Sequence, residues 1–332
     1  MPKKKVLVTG GAGFIGGNFV HYMVNQYPDY DIYNLDALTY AGDLLKHRAI
    51  KHNENYHFIH ADIVDRAKMI SLFERERFDF VLHFAAESHV DRSINEPSLF
   101  LQTNIMGTQA LLDAALKVGV EKFVHISTDE VYGELDFDAT LLFSESTPIQ
   151  PNSPYSASKA ASDFIVQAYH RTFGLPMNIT RCSNNYGPYQ YPEKLIPLTI
   201  LSAYQEKSIP VYGNGCNVRD WLHVYDHCTA IDKILHEGVN GDVYNIGGHN
   251  ERTNIEVVKT ILSSLSKPET LIEFVEDRLG HDKRYAIDPT KLEQLGWTPK
   301  YSFEKGIEET VQWYLCHREW WEPLLLEKHI QN

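Results

Sequence analysis

The sequence predicts an α/β fold, a parallel sheet covered by helices on both faces with a smaller mixed α/β lobe after it, from three observations. Through the first half, short β-branched runs alternate with longer helical patterns, as strands joined by helical crossovers do. A glycine-rich turn, Gly10-Gly11-Ala12-Gly13-Phe14-Ile15-Gly16, connects the first run to the first helical pattern. After Arg181 the texture shifts to turn-rich pieces, as in a lobe that wraps a ligand.

Residues 5–9, 31–35, 80–84 and 122–126 read as central strands, with 56–60 a weaker one. Residues 66–75 and 99–118 read as helices between them, and 303–320 as a terminal helical pattern. The predicted division places residues 1–182 in a first lobe of Rossmann type, doubly wound, with 220–247 returning to it. Residues 183–219 and 248–332 form the second lobe.

With 332 residues the chain can bury two cores, and its 43% hydrophobic and 23% charged composition is that of a globular protein. A formal net charge of -13 argues against nucleic acid as a partner, because a phosphate backbone needs a basic face. An anionic small molecule would need a few locally placed cations. Cys182, Cys216, Cys228 and Cys316 are far apart, so neither a disulfide framework nor a metal site is expected. Lys3-Lys4-Lys5 precedes an apolar run too short for a signal peptide, and no stretch reaches membrane-spanning length. The expected location is the cytoplasm, with no membrane partner.

The glycines at 10, 13 and 16 permit a tight turn, close approach of the backbone to a pyrophosphate, and close helix packing. The helix that follows would face the phosphates with unpaired N–H groups. A glycine-rich turn can be a plain strand-to-helix connection, but here the second strand ends in Asp36, where a ribose-binding acid is expected. A carboxylate accepts from a ribose 2′-OH and repels a 2′-phosphate, so the cofactor indicated is NAD rather than NADP. Asp62-Ile63 could flank the adenine, and Asp62 would equally suit a helix N-cap.

Tyr155 and Lys159 stand four residues apart at the start of a helical pattern, on one face. A phenol with an ordinary pKa of about 10 needs a neighbouring cation to act as a base near neutrality. Ser127-Thr128-Asp129-Glu130 ends the fifth strand, where open α/β sheets bind their ligands. In isolation those two acids would be a solvated turn.

Together these motifs resemble the extended short-chain dehydrogenase/reductase family, in its nucleotide-sugar branch, over nearly the whole chain. The segments Phe84-Ala85-Ala86-Glu87-Ser88 and Asp277-Arg278-Leu279-Gly280-His281 share in the resemblance. Gly-x-x-Gly-x-x-Gly and Tyr-x-x-x-Lys mark only the superfamily. Thr128-Asp129-Glu130 is more specific, since the family's epimerases lack the acid pair. The resemblance implies a 4,6-dehydration of a sugar nucleotide, first of all dTDP-glucose, by a homodimer paired through residues 99–118 and 157–173. A 4-epimerase, a CDP- or UDP-glucose dehydratase and a non-catalytic NAD sensor are the alternatives.

By the same resemblance Thr128, Asp129, Glu130, Tyr155 and Lys159 are catalytic. Cofactor contacts are expected at Phe14, Ile15, Ala37, Leu38, Thr39, Ile63, Phe84, Ala85, Ala86, Thr103 and Asn185, besides the glycines, Asp36 and Asp62. Ser88 and Asn184 would contact the sugar or its phosphate, and Lys194, Leu195, Pro210 and Tyr212 the nucleotide. Arg219, Arg278 and His281 would hold the diphosphate, with Asn254 nearby; a guanidinium suits phosphate through paired hydrogen bonds. No metal is expected. From Asp36 follows the first prediction: calorimetry should show NAD bound far more tightly than NADP, and equal affinities would remove Asp36 from the ribose.

Overall fold

In the computed structural model the described residues are 3–137, 140–277 and 280–331. Twelve strands occur among them: β1 (Lys4–Thr9), β2 (Tyr30–Asp36), β3 (Tyr56–His60), β4 (Phe80–His83), β5 (Lys122–Thr128), β6 (Met177–Cys182), β7 (Asn184–Tyr186), β8 (Ile209–Tyr212), β9 (Val218–His223), β10 (Val243–Ile246), β11 (Glu251–Thr253) and β12 (Ile272–Val275). Seven form one sheet in the order β10-β6-β5-β4-β1-β2-β3, parallel throughout, which is the doubly wound fold expected.

Alternate side chains of each strand go to opposite faces, so a sheet buried on both sides needs near-continuous apolar strands. On β1, Val6 and Val8 join the cluster of Phe19, Met23 and Ile231, beneath helices Phe14–Gln26 and Val224–Glu237. Leu7 turns the other way, to Leu72, Leu111 and Val166 of helices Arg66–Glu76, Thr108–Val118 and Pro154–Phe173. The remaining strands form two smaller sheets, β11-β9-β7 and β12-β8. A separate core cluster gathers Tyr186, Ile200, Trp221, Ile261, Phe303 and Tyr314.

Several details depart from the sequence pattern. The stretch expected as one helix over 99–118 contains a π-helical turn, Leu101–Gly107, between Pro97–Phe100 and Thr108–Val118. Residues 220–223, expected with the first lobe, pair instead within the small sheet as part of β9; the chain rejoins the large sheet through Val224–Glu237 and β10. The terminal pattern splits at His317 into helices Phe303–Cys316 and Arg318–Gln331.

Gly306 lies on the first of these two helices, against the buried ring of Tyr186. A Cβ there would stand 2.0 Å from Tyr186 Oη and 2.9 Å from its Cζ. Helix propensity favours alanine by about 1 kcal/mol, but overpacking a core typically costs about 1–3 kcal/mol. Gly306→Ala should therefore lower the denaturation midpoint, and a raised midpoint would show that Tyr186 gives way freely.

Candidate active site

Parallel strands all end on one side, and the ends of β1, β2, β4 and β5 open into a cavity of about 400 Å³. It sits where strand order reverses, between β1 and β4, the usual ligand crevice of such sheets. Segments after β6 and in the last helix complete its wall, including Asn184, Lys194 and Trp320.

On the β1 side the glycines are required by contact as well as by conformation. Gly10 has φ +69, and a Cβ on it would lie 2.6 Å from Ala85 N; one on Gly16 would lie 2.4 Å from Gly10 O. Gly13 caps helix Phe14–Gln26 with no side-chain bond, leaving first-turn N–H groups for an anion. Asp36 Oδ2 accepts from Ala12 N at 2.9 Å and Oδ1 from Leu38 N at 2.8 Å, which fixes the carboxylate at the cavity wall with lone pairs to spare. A turn of this shape fits a dinucleotide diphosphate, and a carboxylate so held fits its ribose. Leu38, expected as a cofactor contact, is not in the wall; its φ of 53 turns its N–H onto Asp36. Asp62 lines the cavity and bonds Val64 N at 2.9 Å, while Asp65 is the N-cap of the next helix. Of the two readings of Asp62, the cap is thereby excluded.

On the β5 side, Thr128, Asp129, Glu130, Tyr155 and Lys159 all line the same cavity. Ser153 and Ser156 form a capping box and Pro154 takes the first helical position, which fixes the start of helix Pro154–Phe173. Tyr155 and Lys159 thus sit one turn apart at a rigid helix end. Lys159 Nζ donates to Ile126 O at 2.7 Å. The π turn aims Asn104 at both neighbours: its Nδ2 donates to Ser158 Oγ at 2.8 Å and to Glu87 O at 3.0 Å. Helix and the segment after β4 are so held together, with Thr103 in the cavity wall.

Burial sets the electrostatics. Asp129 is 2% exposed, and its carboxyl is pushed well above the ordinary range by burial first, then by Glu130 and Asp220, with Arg219 and the Thr128 hydroxyl opposing. Its Oδ2 receives no hydrogen bond among the described residues. Tyr155 is likewise raised, by burial and then Glu130, so burial outweighs any help to its anion. Burial also lowers Lys159, to about 8, against Asp163 and Cys182. A carboxyl held neutral beside Glu130 is the pairing that lets one act as acid and its neighbour as base.

Ser88, Asn184, Asn185 and Lys194 join this cavity, as do Ala37, Thr39, Ile63, Phe84, Ala85 and Ala86. Leu195, Pro210, Tyr212, Arg219, Asn254 and His281 lie outside its wall. Arg219 is buried over the Tyr285 ring at 4.2 Å and donates to Asp282 O at 2.9 Å, near enough for its charge to act on Asp129. Pro210 and Tyr212 are exposed on one face of β8, with the Tyr212 ring edge-on to His281 at 6.1 Å. Leu195 opens helix Leu195–Tyr204, and Asn254 opens the helix after β11. Arg278 lies outside the described residues.

Sequence reasoning missed Lys46, Tyr40, Glu193 and Trp320 in the wall. Lys46 is buried and donates to Ala12 O at 2.6 Å and Gly13 O at 2.9 Å; burial lowers it to about 8 against Asp43 and Asp36. No periodicity marked it, because it acts on carbonyls of a distant turn. Trp320 Nε1 donates to Asp43 Oδ2 at 2.6 Å and brings the end of the chain to the start. For residues 189–191 a signal existed, the turn-rich run from Asn184.

A glycine turn answered by Asp36, facing Tyr155 and Lys159 across one cavity, defines a dinucleotide-dependent short-chain dehydrogenase/reductase. The family profile described as GDP-mannose 4,6 dehydratase matches residues 7–310. A dTDP-glucose 4,6-dehydratase of Escherichia coli is 51% identical over 97% of this chain and 96% of that protein. The dTDP-glucose 4,6-dehydratase of Bacillus anthracis, solved in complex with NAD, superposes with a TM-score of 0.90 at 51% identity, covering 97% of this chain and 99% of that one. The Streptomyces venezuelae enzyme, solved with NAD and TYD bound, gives 0.92 at 48% identity over 96% and 99%. The chain belongs to the dTDP-glucose 4,6-dehydratase family.

Asp129 keeps its proton in the folded state over a pH range in which the unfolded chain, with an ordinary carboxylate pKa of ~3.9, has lost it. Stability is therefore lost as pH rises above that value. Asp129→Asn should melt higher than the parent at about pH 7, with the gap shrinking towards about pH 4. A gap that does not change with pH would mean Asp129 is ionised in the folded protein.

Proposed function

We propose that this chain converts dTDP-glucose to dTDP-4-keto-6-deoxyglucose with NAD as a recycled cofactor. The observation that carries this is the pair of buried Asp129 and half-buried Glu130 in one cavity with Tyr155, because a simple dehydrogenase has no use for a second acid and base. The C5 hydrogen of glucose is not acidic, and a ketone at C4 makes it so. Bound NAD supplies the acceptor for the C4 hydrogen, which is returned at C6, and a positive ring charge that favours the Tyr155 anion. Tyr155 takes the C4 hydroxyl proton, with Lys159 as its neighbouring cation and Thr128 hydrogen-bonded to the C4 oxygen. Glu130 removes the C5 proton, protonated Asp129 donates to the departing C6 hydroxyl so that water leaves, and a proton returns to C5 as the hydrogen is delivered to C6. Gly10, Gly13, Gly16 and Asp36 hold the dinucleotide.

Ser88 and Asn184 bind the sugar or its phosphate, Arg219, Arg278 and His281 the diphosphate with Asn254 beside them, and Lys194, Leu195, Pro210 and Tyr212 the nucleoside. In this reading residues 1–182 and 224–247 are the NAD lobe and the remainder the sugar-nucleotide lobe. The protein works as a homodimer in the cytoplasm. Exposed Leu101 and Met106, and Phe164 and Phe173 of the neighbouring helix, support the paired helices as its interface. Four free thiols support the compartment.

The two acids separate under mutation. Glu130→Gln should still reduce bound cofactor on adding dTDP-glucose, yet show neither solvent exchange at C5 nor dehydrated product. Asp129→Asn should keep C5 exchange and slow elimination by about 10²–10⁴. Rapid-quench mass spectrometry in heavy water, run beside cofactor absorbance, reads both. Wild-type product formation by both variants would reduce the pair to a turn and end the dehydratase reading.

A further inference from the structure

Around Lys159 lies a second set of buried charges, none of which lines the cavity. Asp163 follows Lys159 by one turn of helix Pro154–Phe173 and is wholly buried. Its Oδ2 accepts from Arg181 Nε at 2.9 Å. Its Oδ1 lies 3.4 Å from His125 Nε2 and receives no hydrogen bond among the described residues. Arg181 is held in turn: NH1 donates to Tyr132 Oη at 3.0 Å, and the guanidinium lies 4.8 Å from that ring's centre. His125 Nε2 is 3.1 Å from Ser162 Oγ. Two strands and one helix so converge on a single carboxylate.

We propose that Asp163 is a positioning residue: held by Arg181 and set beside His125, it is the buried counter-charge that keeps Lys159 protonated beside Tyr155. This rests on the reading of Tyr155 and Lys159 given above. A buried ammonium without a nearby anion gives up its proton. Burial is the largest effect on Lys159, and Asp163 opposes it ahead of Cys182. Glu130 is the other acid of the cavity and acts on Tyr155 and Cys182, but Asp163 and Cys182 are the groups that oppose burial at Lys159. Burial holds His83 and His125 neutral, and it raises the thiol of Cys182 and the phenol of Tyr155. Burial likewise raises Asp129, and Arg181 is a second cation. Asp163 itself is pushed up by burial but held below the ordinary range by His125, Arg181 and Lys159.

The test titrates Lys159 directly, by NMR of ¹³Cε-labelled lysine in the whole protein, with Lys159→Arg to assign the signal. In Asp163→Asn its midpoint should fall by about one pH unit or more, the usual scale for loss of a nearby opposite charge. In Asp163→Glu it should stay close to the parent value, and the alkaline limb of the kcat profile should follow the same order. Because Asp163→Asn strands Arg181 and could unfold the chain, the double variant Asp163→Asn/Arg181→Gln pairs two amides in its place. Measured against Arg181→Gln alone, which has already lost that cation, the double variant should show the same fall. A folded double variant in which Lys159 titrates as in Arg181→Gln overturns the proposal. A lowered Lys159 in a protein that turns over no sugar nucleotide supports the counter-charge and counts against the proposed reaction alone.

Discussion

Removal of ionisable groups from water at the C-terminal end of β5 governs the cleft. Asp129, Tyr155 and Lys159 are all buried there, and in each case burial is the largest influence on the proton. Exposed on a surface, the same residues would differ little from free side chains, because water screens neighbouring charges. Buried, the carboxyl of Asp129 stays neutral and the ammonium of Lys159 becomes labile, so small changes in surrounding charge decide which group carries a proton. The doubly wound sheet provides this burial by setting strand ends beneath a helix start and closing them with a second lobe.

That second lobe does more than enclose. β9 contributes Arg219 and Asp220, whose charges oppose each other at Asp129, and the residues after β6 contribute Asn184, Asn185 and Lys194 to the cavity wall. Asp220 is itself committed to the backbone, accepting from Gly248 N and Asn250 N at 2.7 Å each. The electrostatic setting of Asp129 therefore depends on the junction between the small and large sheets, where the chain leaves β9 and rejoins the large sheet through Val224–Glu237.

Features that the backbone demands were legible in the sequence. Gly10 and Gly16 sit where no Cβ fits, and Tyr155 and Lys159 share a face because a helix places residues four apart together. Asp36 was legible because a strand end after a glycine turn has few other uses for an acid. The π turn at Leu101–Gly107 was not, since its apolar spacing is nearly that of an ordinary helix and the side-chain bonds of Asn104 that accompany it run to distant segments. Lys46 and Trp320 were invisible for another reason. Each acts through one partner far along the chain, and local pattern carries no trace of such pairs.

The Trp320–Asp43 bond has a consequence for how the cavity is closed. Asp43 lies in the loop that follows β2 and carries Thr39, and Trp320 packs among Tyr189, Trp313 and Tyr314. Tyr40 repeats the link nearby, donating to Glu193 at 3.1 Å beneath the Arg92 guanidinium. The loop after β2 is thus tied to later segments of the chain at two points, so the cavity wall there is not built by one segment alone. A reaction that returns a hydrogen to the molecule it came from never requires exchange of the cofactor between turnovers. A wall pinned at Asp43 and Glu193 suits that economy.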